Sequence, residues 1–123
     1  MDDIFFPIER APGVAPGRSS GSASGHLAWA VATSDDKQLN LQGQIAVVFA
    51  KIDRLLAELK TDKRYLLSAN VLLSDLEHKN AFDLAWKEWV GDNPHHWPQR
   101  VCVGATLSPG TLVEIAVVAA RPS

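Results

Sequence analysis

Two charges stand apart in the apolar final third of this sequence. Arg100 opens the segment Arg-Val-Cys-Val-Gly-Ala, and Glu114 sits between Val113 and Ile115. Charged side chains are almost never fully buried alone, so each must reach a partner, an interface or a ligand. One reading is a structural ion pair between them. The other is a site for an anionic ligand: a guanidinium forks onto a carboxylate through two parallel hydrogen bonds, and a nearby glutamate can orient or deprotonate water. If the strands that carry them pair, Arg100 and Glu114 come close to each other or to a subunit boundary. The remaining reactive types carry less. No local motif sets a histidine beside Cys102, and a thiol in an apolar strand reads as packing. His95-His96 lack metal-ligand spacing and acidic companions, so no metal is expected. The Ser/Gly run from Ser19 to Gly25 lacks the Gly-Lys-Ser/Thr ending of a phosphate loop.

Several elements must position Arg100 and Glu114. From Gln42 to Lys60, Ile45, Val48, Phe49, Ile52, Leu55, Leu56 and Leu59 recur at the three-and-four spacing of one helical face, with charges opposite. A second helix is expected from about Glu77 to Val90. Ser74 and Glu77 have capping-box spacing before it, Phe82, Ala85, Trp86, Trp89 and Val90 form its buried stripe, and Gly91 sits at its left-handed end. Strand patterns run over Leu27–Thr33, Tyr65–Leu73, Arg100–Ala105 and Thr111–Ala120, and residues 18–33 suggest a hairpin turning at Gly25-His26. In the strand Tyr65–Leu73 the alternation sets Leu67, Ala69, Val71 and Leu73 on one face and Leu66, Ser68, Asn70 and Leu72 on the other. The last strand is nearly continuous in apolar residues, as for a strand covered on both faces. Residues 1–17, with three prolines, read as an extended lead-in holding at most a short edge strand, and residues 18–123 as one domain. The order β-β-α-β-α-β-β fits an α+β fold, a mixed sheet with two helices on one face. The other sheet face then needs a cover that one small chain does not supply, so self-association is expected.

The totals narrow the classes. The chain has 123 residues, 46% hydrophobic and 21% charged, with a net charge of −2 and a pI near 6.0. No basic field points to nucleic acid, and Trp86, Trp89 and Trp97 read as core and interface aromatics rather than a base-stacking platform. One cysteine excludes an intramolecular disulfide framework and fits a reducing compartment. The N-terminal residues 1–13 show neither a secretory signal nor a membrane span. A cytoplasmic protein is expected.

The run Trp97-Pro98-Gln99-Arg100-Val101-Cys102-Val103 and the strand Leu112-Val113-Glu114-Ile115-Ala116 are similar to two segments of the Rid/YjgF (reactive-intermediate deaminase, endoribonuclease L-PSP-like) family. The aromatic helix Phe82–Val90, the turn Gly25-His26-Leu27 and the helix Gln42–Leu59 extend the likeness over roughly Arg18 to Ala120. The resemblance implies a chorismate-mutase-like homotrimer with clefts between subunits. Deaminase-type members hydrolyse 2-imino acids and enamines to 2-oxo acids and ammonia without metal or cofactor, because the imine carbon is already electrophilic. By that resemblance Arg100 binds the substrate carboxylate, Glu114 positions the attacking water, and the backbone near Cys102 helps hold the ligand. The sequence also departs from the family pattern. Arg18-Ser19-Ser20 stands where many deaminase-type members have a tyrosine followed by Ser-Gln, which makes Arg18 a further substrate-binding candidate. Val31-Ala32-Thr33 replaces a Ser-Gly-Gln, and Asp83 matches a helix asparagine. The alternative function is a non-catalytic member that binds a metabolite or protein partner in the same cleft.

Overall fold

The apolar stripe of the first helix closes as its spacing requires. In the computed structural model, which describes residues 7–122, helix α1 spans Leu41–Glu58 and buries Ile45, Val48, Phe49, Ile52, Leu55 and Leu56. Asn40 caps it, its side-chain oxygen accepting the Gly43 amide at 2.9 Å. The second helix, α2, begins later than the sequence suggests, at Lys79, and runs to Val90. Residues Leu76–His78 form a 3₁₀ turn instead, because the Asp75 carboxylate, not Ser74, accepts the Glu77 amide at 2.9 Å. An aspartate that captures the amide two residues on favours a turn over a continuing helix. Gly91 ends α2 with φ of 80°, the positive value that favours glycine.

Six strands make one mixed sheet: β1 Glu9–Pro12, β2 Ser19–Ser24, β3 Leu27–Thr33, β4 Leu66–Leu73, β5 Gln99–Gly104 and β6 Val113–Ala120, in the order β1-β2-β3-β6-β4-β5. Only β4 and β5 are parallel among these pairings. Strands β5 and β6 do not pair, since β4 lies between them, so Arg100 sits opposite Ala69 while Glu114 sits between Thr33 and Leu72. Of the expected lead-in, residues 1–6 lie outside the described residues.

Both helices pack on one face of the sheet, in a core where Phe49 stacks on Trp89 at 4.5 Å and tilts against Phe82. Strand β3 shows how closely α1 lies. Ala28, Ala30 and Ala32 face the helices, and Leu27, Trp29 and Val31 turn outward, each more than a third exposed. Strand β6, expected to be covered on both faces, is covered on one within a single chain: Val113, Ile115, Val117 and Ala119 are buried, and Glu114, Ala116, Val118 and Ala120 are half-buried. The alternation expected along β4 also breaks at its start. A register shift between Leu66 and Ser68 puts Leu66 in the core and Leu67 outside, after which Ala69, Val71 and Leu73 turn inward as expected. The open face thus carries Leu27, Trp29, Val31, Leu67, Val101 and Val103, all substantially exposed.

Candidate functional site

Alternation along β5 sends Arg100 and Cys102 to the helix side and Val101 and Val103 to the open face. Strand β5 is a sheet edge, so Arg100 lies under α2 at the rim of the molecule. Its guanidinium lies 5.5 Å from the Phe82 ring centroid and 5.3 Å from that of Trp86. Aromatic faces attract a cation and exclude water from it. Nη2 donates to Asp83 Oδ1 at 2.6 Å, and Lys79, one helical turn before Asp83, donates from Nζ to Oδ2 at 2.8 Å. Burial pushes the Asp83 carboxyl up, but hydrogen bonds from Lys79 and Arg100 outweigh it and hold the group below the usual carboxylate range. The Arg100 side chain is 18% exposed, and no partner of its Nε or Nη1 is found among the described residues. It is a held cation with donors to spare. Cys102 packs against the core beside it, and burial raises its thiol pKa although Arg100 and Lys79 pull it down. That is the setting of an unreactive thiol.

Glu114 points the other way. It lies on the open sheet face, where it lines a cavity of about 330 Å³ with Asn70, Leu72, Val101, Val103 and Ala116. It also reaches a larger cavity of about 650 Å³, whose lining includes Arg18, Ser20, Val31, Thr33 and Thr111. Two of the three departures from the family pattern, Arg18-Ser19-Ser20 and Val31-Ala32-Thr33, line that larger space. Lys51 crosses its floor from α1, bonded to the Thr33 carbonyl and to Asp35, each at 2.8 Å. The buried Thr111 hydroxyl on its wall has no hydrogen-bond partner among the described residues. Gln44 fixes that wall: wholly buried at the start of α1, it donates to the Leu39 and Gly110 carbonyls and accepts the Leu112 amide.

The four candidate residues therefore fall into two pairs. Arg100 and Cys102 share the α2 side of β5, and Arg18 and Glu114 share the larger cavity, which α1 also lines through Lys51, Arg54 and Leu55. The possibility that strand pairing brings Arg100 to Glu114 is not met within one chain, because β4 separates their strands and the side chains point to opposite faces. The ion pair that forms is Arg100–Asp83. Sequence reasoning noticed Asp83 without finding this role; its i,i+4 spacing from Lys79 was the available signal. Gln44 and Thr111 were missed. Gln44 shares a helical face with Val48, Ile52 and Leu55, and a polar residue in such a stripe calls for buried partners. His95 and His96 lie in a short 3₁₀ turn, Pro94–His96, and no group of three or more side chains that could hold a metal occurs among the described residues.

Residues 20–121 match the sequence profile of the family described as Endoribonuclease L-PSP. A RutC family protein of Haemophilus ducreyi is 35% identical over 96 residues, which covers 77% of this chain and 79% of that one. The fold is shared with a solved protein of Pseudomonas aeruginosa (TM-score 0.84, 30% identity, covering 94% of this chain and 100% of that one). It is shared equally with a member of the YjgF protein family from Neisseria meningitidis (TM-score 0.82, 28% identity, covering 96% and 98%). The chain belongs to the endoribonuclease L-PSP family, also known as YjgF/Rid. Its sheet of six strands with two helices is the architecture of the solved YjgF structures.

Proposed function

We propose that the protein is an imine/enamine deaminase, converting 2-imino acids and water to 2-oxo acids and ammonia in clefts between the subunits of a cytoplasmic homotrimer. The observation that carries this reading is Arg100: a cation backed by aromatic rings at a sheet edge, with hydrogen-bond donors left over for a carboxylate. Glu114 is the second group required, and it occupies the opposite face of the same sheet. A cleft holding both is therefore assembled from two copies, Arg100 at the rim of one and Glu114 on the open face of the next. The exposed Leu27, Trp29, Val31, Val101 and Val103 support that assembly, since apolar side chains gathered on one sheet face favour association.

In this reading Arg100 grips the carboxylate and fixes the imine carbon. Glu114 accepts a proton from the attacking water as the C–O bond forms and the C=N π electrons move to nitrogen. Glu114 passes that proton to the nitrogen, giving an amino alcohol. It then takes the hydroxyl proton and delivers it to the amine as the C–N bond breaks, so ammonia leaves and the remaining oxygen becomes the carbonyl. Cys102 contributes its backbone, and Arg18 faces the substrate from the larger cavity. Generating the imine with an amino-acid oxidase and following its loss with semicarbazide tests the proposal. Faster loss with the wild type but not with folded Arg100→Ala is the expected result; no acceleration across a broad amino-acid panel would sink the enzymatic reading. The Asp83 carboxylate, already on Arg100 where a neutral asparagine is the family pattern, favours the second reading, a cleft that binds a small metabolite without turnover. Ligand-dependent stabilisation without imine loss is its signature.

A further inference from the structure

A guanidinium can grip a carboxylate along two edges, Nε with Nη2 or Nη1 with Nη2, and each edge uses one N–H of Nη2. In this chain one of those N–H groups is already committed, to Asp83 Oδ1 at 2.6 Å. One edge is therefore occupied from within and one is left. Phe82 and Trp86 lie against the guanidinium and fix where the remaining edge faces. Lys79 holds the other oxygen of Asp83 at 2.8 Å, so the cluster contains two cations and one carboxylate and carries a single net positive charge. One carboxylate on the free edge neutralises it. Within this cluster a second negative charge on the same ligand meets no unbalanced cation, and it lies in the field of Asp83.

We infer that Asp83 is a positioning residue that sets the substrate class: it confines the Arg100 site to ligands with one carboxylate and disfavours dianions, with Lys79 setting how strongly. The inference rests on the reading of Arg100 as a carboxylate site, but not on catalysis. It makes the substrates 2-imino acids with neutral side chains.

The test is calorimetric binding of two unreactive probes to the assembled protein near neutral pH: pyruvate, with one carboxylate, and malonate, with two. Wild type should prefer pyruvate. The near-isosteric Asp83→Asn removes one negative charge, which should tighten pyruvate by up to about tenfold and malonate by roughly the square of that factor. The malonate-to-pyruvate ratio then moves by about tenfold, as expected for a unit charge a few ångströms away in a partly screened site. Lys79→Met should move the ratio the other way by several-fold, which keeps the test alive if Asp83→Asn folds poorly. A strut that merely held the fold would change both affinities alike. An unchanged ratio in Asp83→Asn, a shift towards pyruvate, or no binding of either probe by wild type and Asp83→Asn overturns the inference. Arg100→Ala should abolish binding of both probes. Binding that survives Arg100→Ala overturns the Arg100 reading itself, whereas loss there with an unchanged Asp83→Asn ratio overturns only the role given to Asp83.

Discussion

The rim under α2 and the larger cavity, where β3 and β6 meet the flank of α1, are built in opposite ways. Arg100 is over-determined: strand pairing fixes its backbone, two aromatic rings flank its guanidinium, and a carboxylate shared with Lys79 holds one donor. The side chains of Arg18 and Glu114 make no hydrogen bond or ion pair among the described residues, and the buried Thr111 hydroxyl beside them is unpartnered there too. A pre-positioned cation binds without first spending energy on its own ordering. Side chains with unspent donors and acceptors suit a surface completed by something else, a ligand or a second copy. The contrast teaches that one chain pre-positions Arg100 with its own residues and leaves Glu114 uncommitted, as the proposed two-copy cleft requires.

The largest effect should come from breaking the fixed side. Arg100→Ala leaves Lys79 as the only cation bonded to Asp83 among the described residues and, on the proposed reading, removes the carboxylate grip. Truncating one member of a partly buried, hydrogen-bonded charge pair costs about 4 kcal/mol, which is about a thousandfold in kcat/KM. Steady-state kinetics on the folded, assembled variant measures it, and a loss under tenfold would remove Arg100 from the site.

Next comes the wall of the larger cavity. Gln44→Leu keeps the volume but strips hydrogen bonds from Leu39, Gly110 and Leu112. A buried backbone group left unsatisfied costs about 1–3 kcal/mol, and some will recover partners, so a total near 3 kcal/mol is expected from denaturant unfolding. The same variant should loosen the wall that carries Thr111 and raise KM, while the Asp83–Arg100 contact stays intact.

What the sequence disclosed follows the range of the interaction. The stripe of α1 is local: Ile45 to Leu56 recur with the helical period, and they are buried. The isolation of Arg100 and Glu114 in an apolar third was equally plain, since burial of a lone charge is costly wherever it lies. The partner of Arg100 was hidden because strand order is non-local. Periodicity assigns faces within a strand, but only the placement of β4 between β5 and β6 decides that Arg100 lies under Asp83 and away from Glu114. The β4 bulge was hidden for the same reason: one unpaired residue swaps the faces of Leu66 and Leu67 without changing composition.

Glu114→Gln separates the regions kinetically. The amide keeps size and hydrogen bonding but is a far weaker base, and general-base help is typically worth 10²-fold or more. A fall in kcat of about a hundredfold with KM nearly unchanged is expected in the imine assay, the opposite split from a lost carboxylate grip. Equal losses in wild-type-like Arg18→Ala would instead assign the chemistry to the cavity cation.

Cys102 is the finest test, because it shares a strand face with Arg100 yet should do a different job. Burial holds its thiol above the ordinary cysteine pKa, and the positive field of Arg100 and Lys79 reverses this only in part. The reactive species is the thiolate, so at pH 8 a raised pKa leaves less of it than in an unfolded chain. Iodoacetamide should therefore label the folded protein more slowly than the denatured one, with the difference narrowing as pH rises. Asp83→Asn, which removes a carboxylate that raises the thiol pKa, should speed labelling slightly. Because only the backbone of Cys102 is assigned to the ligand, Cys102→Ala should leave kcat/KM within about twofold, a change under ~0.5 kcal/mol. A loss nearing that of Arg100→Ala would instead make the thiol part of the chemistry and erase the proposed distinction between a strand that holds the ligand and a face that transforms it.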